Sequence, residues 1–485
     1  MCSYDSMTIR SVNICIFRPK TLLNATKIAL ALLCIASPSI TFAYDFTLSA
    51  SGPNHVVVGH DLYIEEVAAI TDGTRDYAYH FVDGLPDGAT PSWPEIAVHN
   101  WTPSNMDWKP QNTMLKINVP STVPASTYAL TIRVQSGGVT HQFPYKMVVD
   151  PVPAPLPKQV IGSIPPIPDL AAWQSQMTSY GKQLCNEANI VNNSLWEGNS
   201  WFYDGIRVYY QIADYTGDNS WNACAGYVKE VYKPYVLSTT TQGWRVFPHG
   251  LYQDYLRNSD PSSKAATLWL STNSAYAGTG GAPVSFGTSG RQRETSYMIH
   301  AYRIAGLLGS PNLQMYVRSV DFVLGMIDQL YISKTDPYLQ PFMTGLMMEA
   351  LIQYYQDPQA PFPNDPRVPP AIKAAADGLW AQAQMPNPNG GGVTFFYEST
   401  GNPLKAAPDL NLLIAPAYAW LYKITGNPVY QQEGDLIFQG GVEGAWLPQG
   451  KQFNQNYRWS FDYVNWRMHP DITPPTPPSS LQIIP

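Results

Sequence analysis

Seven prolines between positions 151 and 168, in DPVPAPLPKQVIGSIPPIPD, divide this 485-residue chain into two stretches with different periodicities. Proline lacks a backbone N–H, so a segment this dense in it cannot sit inside a helix or in mid-sheet. It extends instead as a semi-rigid polyproline II spacer. The segment 151–168 is therefore a domain boundary, expected to share few contacts with either side. On that reading the part from about 169 to 470 folds and acts without the part before it.

Ahead of the boundary, HVVVGHDLYIEEVAAI, TMLKINV, YALTIRV and HQFPYKMVV are β-branched and aromatic runs broken by DG, GLPDG, PSTVPAS and SGG. Short strands with turns at this spacing predict an antiparallel sandwich over 44–150. The combination FVDGLPDGAT, then VPSTVPASTYALTIRVQSGG, resembles the immunoglobulin-like modules appended to bacterial secreted enzymes. That resemblance covers about 100 residues and implies a module that binds, spaces or stabilises. Trp93, Trp101 and Trp108 offer either a sugar-stacking patch or core and loop packing.

Beyond the boundary the period is helical, with recurring stops: IADYTGD at Asp218, YLRNSD at Asp260, IAGLLGSP at Pro311, YYQDP at Pro358 and YKITGNP at Pro428. Each closes an apolar helix with a small or polar residue and then opens another. Intervals of about 42, 51, 47 and 70 residues make the unit a helical hairpin. Twelve helices are predicted: 170–191, 200–215, 219–236, 246–257, 261–274, 291–308, 311–331, 340–356, 367–384, 409–425, 428–440 and 452–465. This repeat and its tyrosine–threonine–glycine helix ends resemble the (α/α)6-toroid carbohydrate-active enzymes, which include glycoside hydrolases and polysaccharide lyases. The resemblance spans about 300 residues and implies an all-β sandwich followed by an all-α toroid, over 169–470. Terpene cyclases and prenyltransferases share related toroids but lack the leader and sandwich partner seen here.

Charged residues make up 13% of the chain, against about 25% in typical soluble domains, and the net charge is −7 with no basic run. That pattern argues against nucleic-acid binding. Lys20 and Lys27 precede the apolar run Ile28–Ile40, and Thr-Phe-Ala43 supplies small residues for cleavage, so 1–43 reads as a signal peptide. A retained membrane helix needs about 20 apolar residues, and Ser37, Pro38 and Ser39 interrupt this run. Cys34 is a poor lipoprotein anchor because Leu33 precedes it. A secreted or periplasmic monomer, not associated with membrane after cleavage, is expected. The proline-rich stretch 471–485 is a tail. Only Cys185 and Cys224 survive cleavage, either as two buried thiols or as a disulfide, and the oxidising compartment favours the disulfide.

Connections into alternate helices are long and chemically rich, and long loops gathered on one face of a scaffold are where function usually lies. In the resembled fold that face holds the site, where inner helices begin. In GRQRETSY, Arg291, Arg293 and Glu294 crowd such a helix start. Glu294 suits the positive end of the helix, with Ser289 available as a cap, but two arginines oppose the dipole, which points to a role in chemistry. Asp204 in WFYDG, flanked by Trp201, Phe202 and Tyr203, is a carboxyl whose enclosure would suit a general acid or merely a cap. Asp409, Glu398 and His249 lie on the same face, each with a structural alternative. Asn454, Tyr457 and Arg458 either bind a uronic carboxylate or seal the last helix. The histidines show no ligand spacing and GTGGAPVSFGTSG has no phosphate-binding lysine, so neither a metal nor another cofactor is expected.

Two reactions on a polysaccharide or oligosaccharide substrate follow. Glycoside hydrolysis, the leading expectation, would use paired carboxylates drawn from Asp204, Glu294, Asp409 and Glu398, with His249 beside them and Trp201 and Tyr203 against the sugar. β-Elimination from a uronate would use Arg291, Arg293, Tyr297, His249, Asn454, Tyr457 and Arg458, although no Asn-His pair of the kind in toroidal alginate lyases occurs. A third reading is a non-catalytic glycan-binding protein.

Overall fold

A computed structural model describes residues 46–471 except 52–53, 71–78, 94–110, 137, 193–199 and 278–290. The signal-peptide reading, Trp101, Trp108, Ser289 and the tail beyond Asp471 lie outside the described residues.

Eight strands come first: β1 (Phe46–Ser51), β2 (His55–Val57), β3 (Asp61–Ile70), β4 (Tyr79–Asp83), β5 (Thr90–Ser92), β6 (Gln111–Asn118), β7 (Ser126–Ser136) and β8 (Val139–Asp150). They form two four-stranded sheets, ordered β1-β3-β6-β5 and β2-β8-β7-β4. All pairings are antiparallel except β2 with β8, which is parallel. Period-two alternation explains the shared core: Leu62 and Ile64 of β3 pair with Ile117 and Leu115 of β6, and meet Leu130, Ile132, Met147 and Val149 from the other sheet.

Tyr63 breaks that alternation. It points away from the strand core yet is 3% exposed, because the helices cover it. Its ring meets Phe322 edge-on at 5.6 Å and lies under the Arg318 guanidinium at 5.9 Å, while His60 meets Phe362 at 5.1 Å.

The proline-rich segment also differs from the isolated spacer that its composition suggests. The Gln159 N–H donates to the Thr425 carbonyl at 2.6 Å and Lys158 pairs with Asp471 at 2.7 Å. Leu156 and Ile161 pack on the helical core, and Ile167 is buried in it. A polyproline II strand has unpaired carbonyls and spaced apolar side chains, so a neighbouring helix can dock it without a sheet. Deleting everything before 169 should therefore leave a folded helical part with a lower melting temperature, because Phe322, Arg318 and the docked groove become exposed. An unchanged melting temperature would restore the picture of uncoupled modules.

The helices are α1 (Leu170–Leu184), α2 (Glu187–Asn192), α3 (Gly205–Thr216), α4 (Trp221–Ser238), α5 (Pro248–Asn258), α6 (Pro261–Asn273), α7 (Gln292–Leu307), α8 (Leu313–Ile327), α9 (Pro341–Tyr355), α10 (Val368–Ala383), α11 (Ala415–Thr425), α12 (Pro428–Gly444), α13 (Gly450–Tyr457) and α14 (Ser460–Met468). The predicted helix over 170–191 is interrupted at Cys185, and that over 452–465 at Arg458 and Trp459. The predicted 409–425 helix begins as a 3-10 turn, Pro408–Leu413, before α11. A short hairpin of β9 (Gln384–Pro386) and β10 (Val393–Phe395) stands where a plain loop was expected.

Sequential pairs α3/α4, α5/α6, α7/α8, α9/α10 and α11/α12 pack together. The first members also contact one another in series, α3 to α5, α7, α9 and α11, then α14; α13 returns to α3. Those helices are apolar on nearly every face: in α9, Phe342, Leu346, Met347, Met348, Ala350, Leu351 and Ile352 are all buried. No helix among the described residues is long and apolar enough to cross a membrane.

Cys185 and Cys224 form a disulfide that ties the end of α1 to α4, with a sequence separation of 39. In the chain-entropy treatment, closing such a loop removes roughly 4 kcal/mol of unfolded-state freedom. Cys185→Ser is expected to lower unfolding free energy by a comparable amount, measured by guanidinium denaturation without reductant. The variant and wild type should converge once wild type is reduced.

Candidate active site

The segment ahead of α3 is built under strain. Tyr203 and Asp204 both adopt left-handed backbone geometry, with φ of 53° and 65°, which costs non-glycine residues on the order of 1 kcal/mol each. Four hydrogen bonds hold it. The Asn454 amide donates to the carbonyls of Ser200 and Phe202 at 2.6 and 2.7 Å. Asp204 accepts from the Arg207 N–H at 3.4 Å and from the Gly250 N–H at 3.1 Å. Both neighbouring glycines are obligatory: a Cβ at Gly205 would lie 1.7 Å from the Ser200 carbonyl oxygen, and one at Gly250 2.5 Å from Asp204 Oδ1.

This turn delivers Phe202 and Tyr203 to a cavity of about 310 Å3, completed by Trp244, Phe247, Arg293, Tyr297 and Lys451. Arg293 and Tyr297 come from the first turns of α7, Lys451 from the start of α13, and Trp244 and Phe247 from the chain entering α5. The Arg293 guanidinium lies 6.0 Å from the Trp244 ring centre, and the Lys451 ammonium 5.6 Å from that of Phe202. Among the described residues the lining thus carries two cations, two phenols and three further aromatic rings, and no carboxylate. Burial pushes the Tyr203 and Tyr297 hydroxyls up, against the pull of Arg293 and Arg458, so both are protonated at neutral pH.

Tyr297 connects the cavity to a buried ionic centre. Arg458 donates to the Tyr297 hydroxyl at 3.3 Å and to Glu349 Oε2 at 2.7 Å, while Arg207 donates to Glu349 Oε1 at 2.7 Å. Side-chain exposure is 0% for Glu349, 2% for Arg458 and 4% for Arg207. Burial alone would push the Glu349 carboxyl up, but Arg458 and Arg207 outweigh it and bring it down to about 2.

The Gln353 amide donates to Glu349 Oε1 at 3.4 Å, which turns its oxygen to His249 Nε2 at 2.8 Å. His249 therefore carries its proton on Nε2, and its Nδ1 faces Asp204 Oδ2 at 3.9 Å. Burial, then Arg207 and His300, hold the ring neutral, well below the ordinary histidine range. His300 packs edge-on against it at 4.7 Å.

Of the residues singled out from sequence, Tyr203, Arg293 and Tyr297 meet in the cavity, with Arg458 reaching it through Tyr297. Asp204 and His249 lie in the buried layer and do not line the cavity. Glu294 is engaged by Arg293, whose Nε and NH2 donate to its Oε1 at 3.0 and 2.6 Å. Arg291 lies over the Tyr276 ring at 5.0 Å, outside the lining. Trp201 is in the core, stacked on Tyr232 at 5.5 Å. Tyr457 is buried and donates to the Trp173 carbonyl at 3.0 Å, and Asn454 braces the turn already described. Asp409 accepts from Gln455 at 3.1 Å, and Glu398 from the Tyr338 hydroxyl at 2.7 Å. Among the described residues no group of three or more His, Cys, Asp and Glu could hold a metal.

Sequence reasoning did not single out Arg207, Glu349, Trp244, Phe247 or Lys451. The signal for Glu349 was present: it is the one charge in MTGLMMEALIQYY, and a charge inside an all-apolar helix must be paired.

Burial raises the Asp204 carboxyl to about 6, partly offset by Arg207 and Arg458. The folded state thus holds its proton more tightly than the unfolded chain, and this contribution to stability is present at low pH and lost as pH rises through 6. Asp204→Asn cannot ionise. Relative to wild type, the variant is expected to gain on the order of 3 kcal/mol between pH 4 and 7. Chemical denaturation of both proteins at the two pH values measures the difference, and a pH-independent gap would contradict the burial account.

No protein-family model matches the chain, and no curated protein matches it. Among solved structures it is similar to the crystal structure of a Salmonella alpha-2-macroglobulin mutant, at 9% sequence identity and a TM-score of 0.32. The alignment covers 86% of this chain and 27% of that one, so the chain spans about a quarter of that protein. So low a score does not establish a common fold.

Proposed function

We propose that this chain is an exported enzyme that cleaves an acidic polysaccharide by β-elimination, with an immunoglobulin-like sandwich ahead of an (α/α)6 toroid. The closed series of contacts through α3, α5, α7, α9, α11 and α13–α14, each with a partner outside it, supports the toroid reading. Two facing sheets over one core support the sandwich.

The observation that carries the reaction is the cavity lining: Arg293 and Lys451 beside Tyr203 and Tyr297, with no carboxylate among the described residues. The cations suit a uronate carboxylate, whose neutralisation acidifies the C5 proton; Trp244, Phe202 and Phe247 offer faces for sugar rings. One tyrosine, after giving its own proton to solvent with Arg293 and Arg458 beside the phenolate, takes the C5 proton. The other donates its proton to the bridging oxygen as the C4–O bond breaks and the C4–C5 double bond forms. Hydrolysis would instead need two carboxyls flanking the sugar, about 5–5.5 Å apart for retention or 6.5–9.5 Å for inversion. Asp204, Asp409 and Glu398 are engaged elsewhere and Glu294 is held by Arg293 at the cavity edge, so elimination fits the lining better than the hydrolysis expected from sequence.

Incubating the mature protein with a panel of neutral and uronic polysaccharides tests this. Unsaturated uronate ends, read by ultraviolet absorbance, should form from polyuronates alone. New reducing ends without that absorbance would favour hydrolysis, and binding without cleavage would leave a glycan-binding protein.

A further inference from the structure

The chain between β10 and the 3-10 turn ahead of α11 folds back on itself as a short hairpin. Phe396 bridges Ala406 in antiparallel fashion, and the Tyr397 N–H donates to the Lys405 carbonyl at 2.7 Å. Side chains alternate along paired strands, so Phe396 and Ala406 share one face and Tyr397 and Lys405 share the other. Cross-strand neighbours of this kind have Cβ atoms about 5 Å apart. Phe396 is buried, whereas Tyr397 is 44% exposed and Lys405 is exposed. Among the described residues the Lys405 ammonium makes no hydrogen bond or ion pair.

Local contacts hold this face in place. The Tyr397 ring stacks on Phe342, in the first turn of α9, with centroids 5.5 Å apart and planes 26° from parallel. One side of the ring is therefore braced and its exposure falls on the other. Ser399 clamps the hairpin: its N–H donates to the Leu339 carbonyl and its hydroxyl accepts from the Leu339 N–H, both at 2.9 Å. Glu398, next to Tyr397 in the chain, is turned to the Tyr338 hydroxyl at 2.7 Å. The hairpin also adjoins the cavity of Tyr203, Arg293 and Lys451. After burial and Tyr297, Tyr397 is a further group that raises the Tyr203 hydroxyl, so the two phenols lie near one another. The second arm of the hairpin runs on to Asp409, whose carboxyl burial raises and Gln455 and Lys451 draw down.

A phenol braced from behind, beside an ammonium with no counter-charge and next to a cavity that carries two cations, matches a uronate unit. The open ring face suits the C–H groups of the sugar, and the ammonium suits its carboxylate. We propose that Tyr397 and Lys405 form a second uronate subsite outside the cavity, holding another unit of the chain whose linkage is cleaved between Tyr203 and Tyr297. This inference rests on the acidic-polysaccharide reading of the cavity. A unit bound there is remote from the breaking bond, so it strengthens binding of substrate and transition state alike. It lowers KM and leaves kcat as it is.

Isothermal titration with hexamers of galacturonate, of glucuronate and of alginate uronates, and with cellohexaose as a neutral counterpart, tests this. The mature chain carries Tyr297→Phe in these titrations so that the hexamers stay intact. For the uronate hexamer bound tightest, Lys405→Ala should weaken affinity about three- to tenfold, and high salt should shrink that difference. Tyr397→Ala should weaken it about tenfold, and Tyr397→Phe should preserve it. Cellohexaose should be indifferent to Lys405→Ala. With Tyr297 restored, Lys405→Ala should raise KM on the polymer by a similar factor and keep kcat. Tyr397→Ala uncovers Phe342 and is checked by its melting curve; Lys405→Ala breaks no ion pair among the described residues and carries the test if the first variant does not fold. Failure of every uronate hexamer to bind, affinity indifferent to Lys405→Ala, or an equal loss for cellohexaose would overturn the proposal. Lys405-dependent binding by a protein that forms no unsaturated ends would support this subsite and refute elimination. Unsaturated ends formed with unchanged affinity and KM in Lys405→Ala would refute the subsite alone.

Discussion

Glu349→Gln is expected to destabilise the helical region by about 3–5 kcal/mol, or to prevent folding altogether. The substitution keeps shape but leaves Arg207 and Arg458 buried with no carboxylate between them, and neither guanidinium can lose its proton or reach water. Among the described residues only Asp462, 3.9 Å from Arg207, and Asp204 then remain near the two cations, and leaving desolvated cations short of counter-charge is among the most costly changes a core can suffer. The guanidinium midpoint of the variant beside wild type measures it. Replacing Arg207, Glu349 and Arg458 together by apolar residues of similar volume should recover much of the loss, since no uncompensated charge then remains. The pH dependence has a definite sign: the Glu349 carboxyl is lower folded than unfolded, so its contribution is complete above the ordinary glutamate range and is lost as pH falls through about 2. A Glu349→Gln protein as stable as wild type at pH 7 would show that the carboxylate does not hold this centre.

The second large effect is expected on turnover. Arg293→Ala should reduce kcat on a polyuronate by about 10²–10³-fold, through loss of the cation that stabilises charge developing at C5. Tyr297→Phe should reduce it by about 10²–10⁴-fold, through loss of a proton-transfer group. Melting temperature is measured beside kcat, because Glu294 is only 7% exposed and loses its partner in Arg293→Ala. Glu294→Gln separates the mechanisms. In elimination it should be milder than Arg293→Ala, whereas in hydrolysis it removes an acid or base and should be the more damaging. Unchanged kcat in both variants would mean that the mouth of α7 is structural.

Much of the layout was legible in residue order. Period-two runs gave way to helical periods across the prolines, and stops such as YKITGNP fell at helix ends because Gly426 adopts a left-handed φ of 68° that ends α11 and Pro428 opens α12. These signals are local: a capping glycine or a first-turn proline acts within a few residues of itself. For the same reason GRQRETSY could be placed at a helix mouth, and Tyr203, Arg293 and Tyr297 were singled out before any contact was known. The errors were those of orientation. Trp201 and Tyr457 shared the aromatic, polar-flanked context of Tyr203, yet both point into the core.

The sequence by itself therefore determined where strands and helices begin and end, and which stretches carry chemistry. Only the tertiary structure decided that Glu349 neutralises Arg207 and Arg458, residues 142 and 109 positions away, and that the cavity lining excludes Asp204. It alone decided that Tyr63 is buried against α8 rather than exposed on a spacer. Each of these depends on which side chains meet after burial. The cost of leaving an ion or a large ring unpartnered is large only once water is gone, so no local pattern records it.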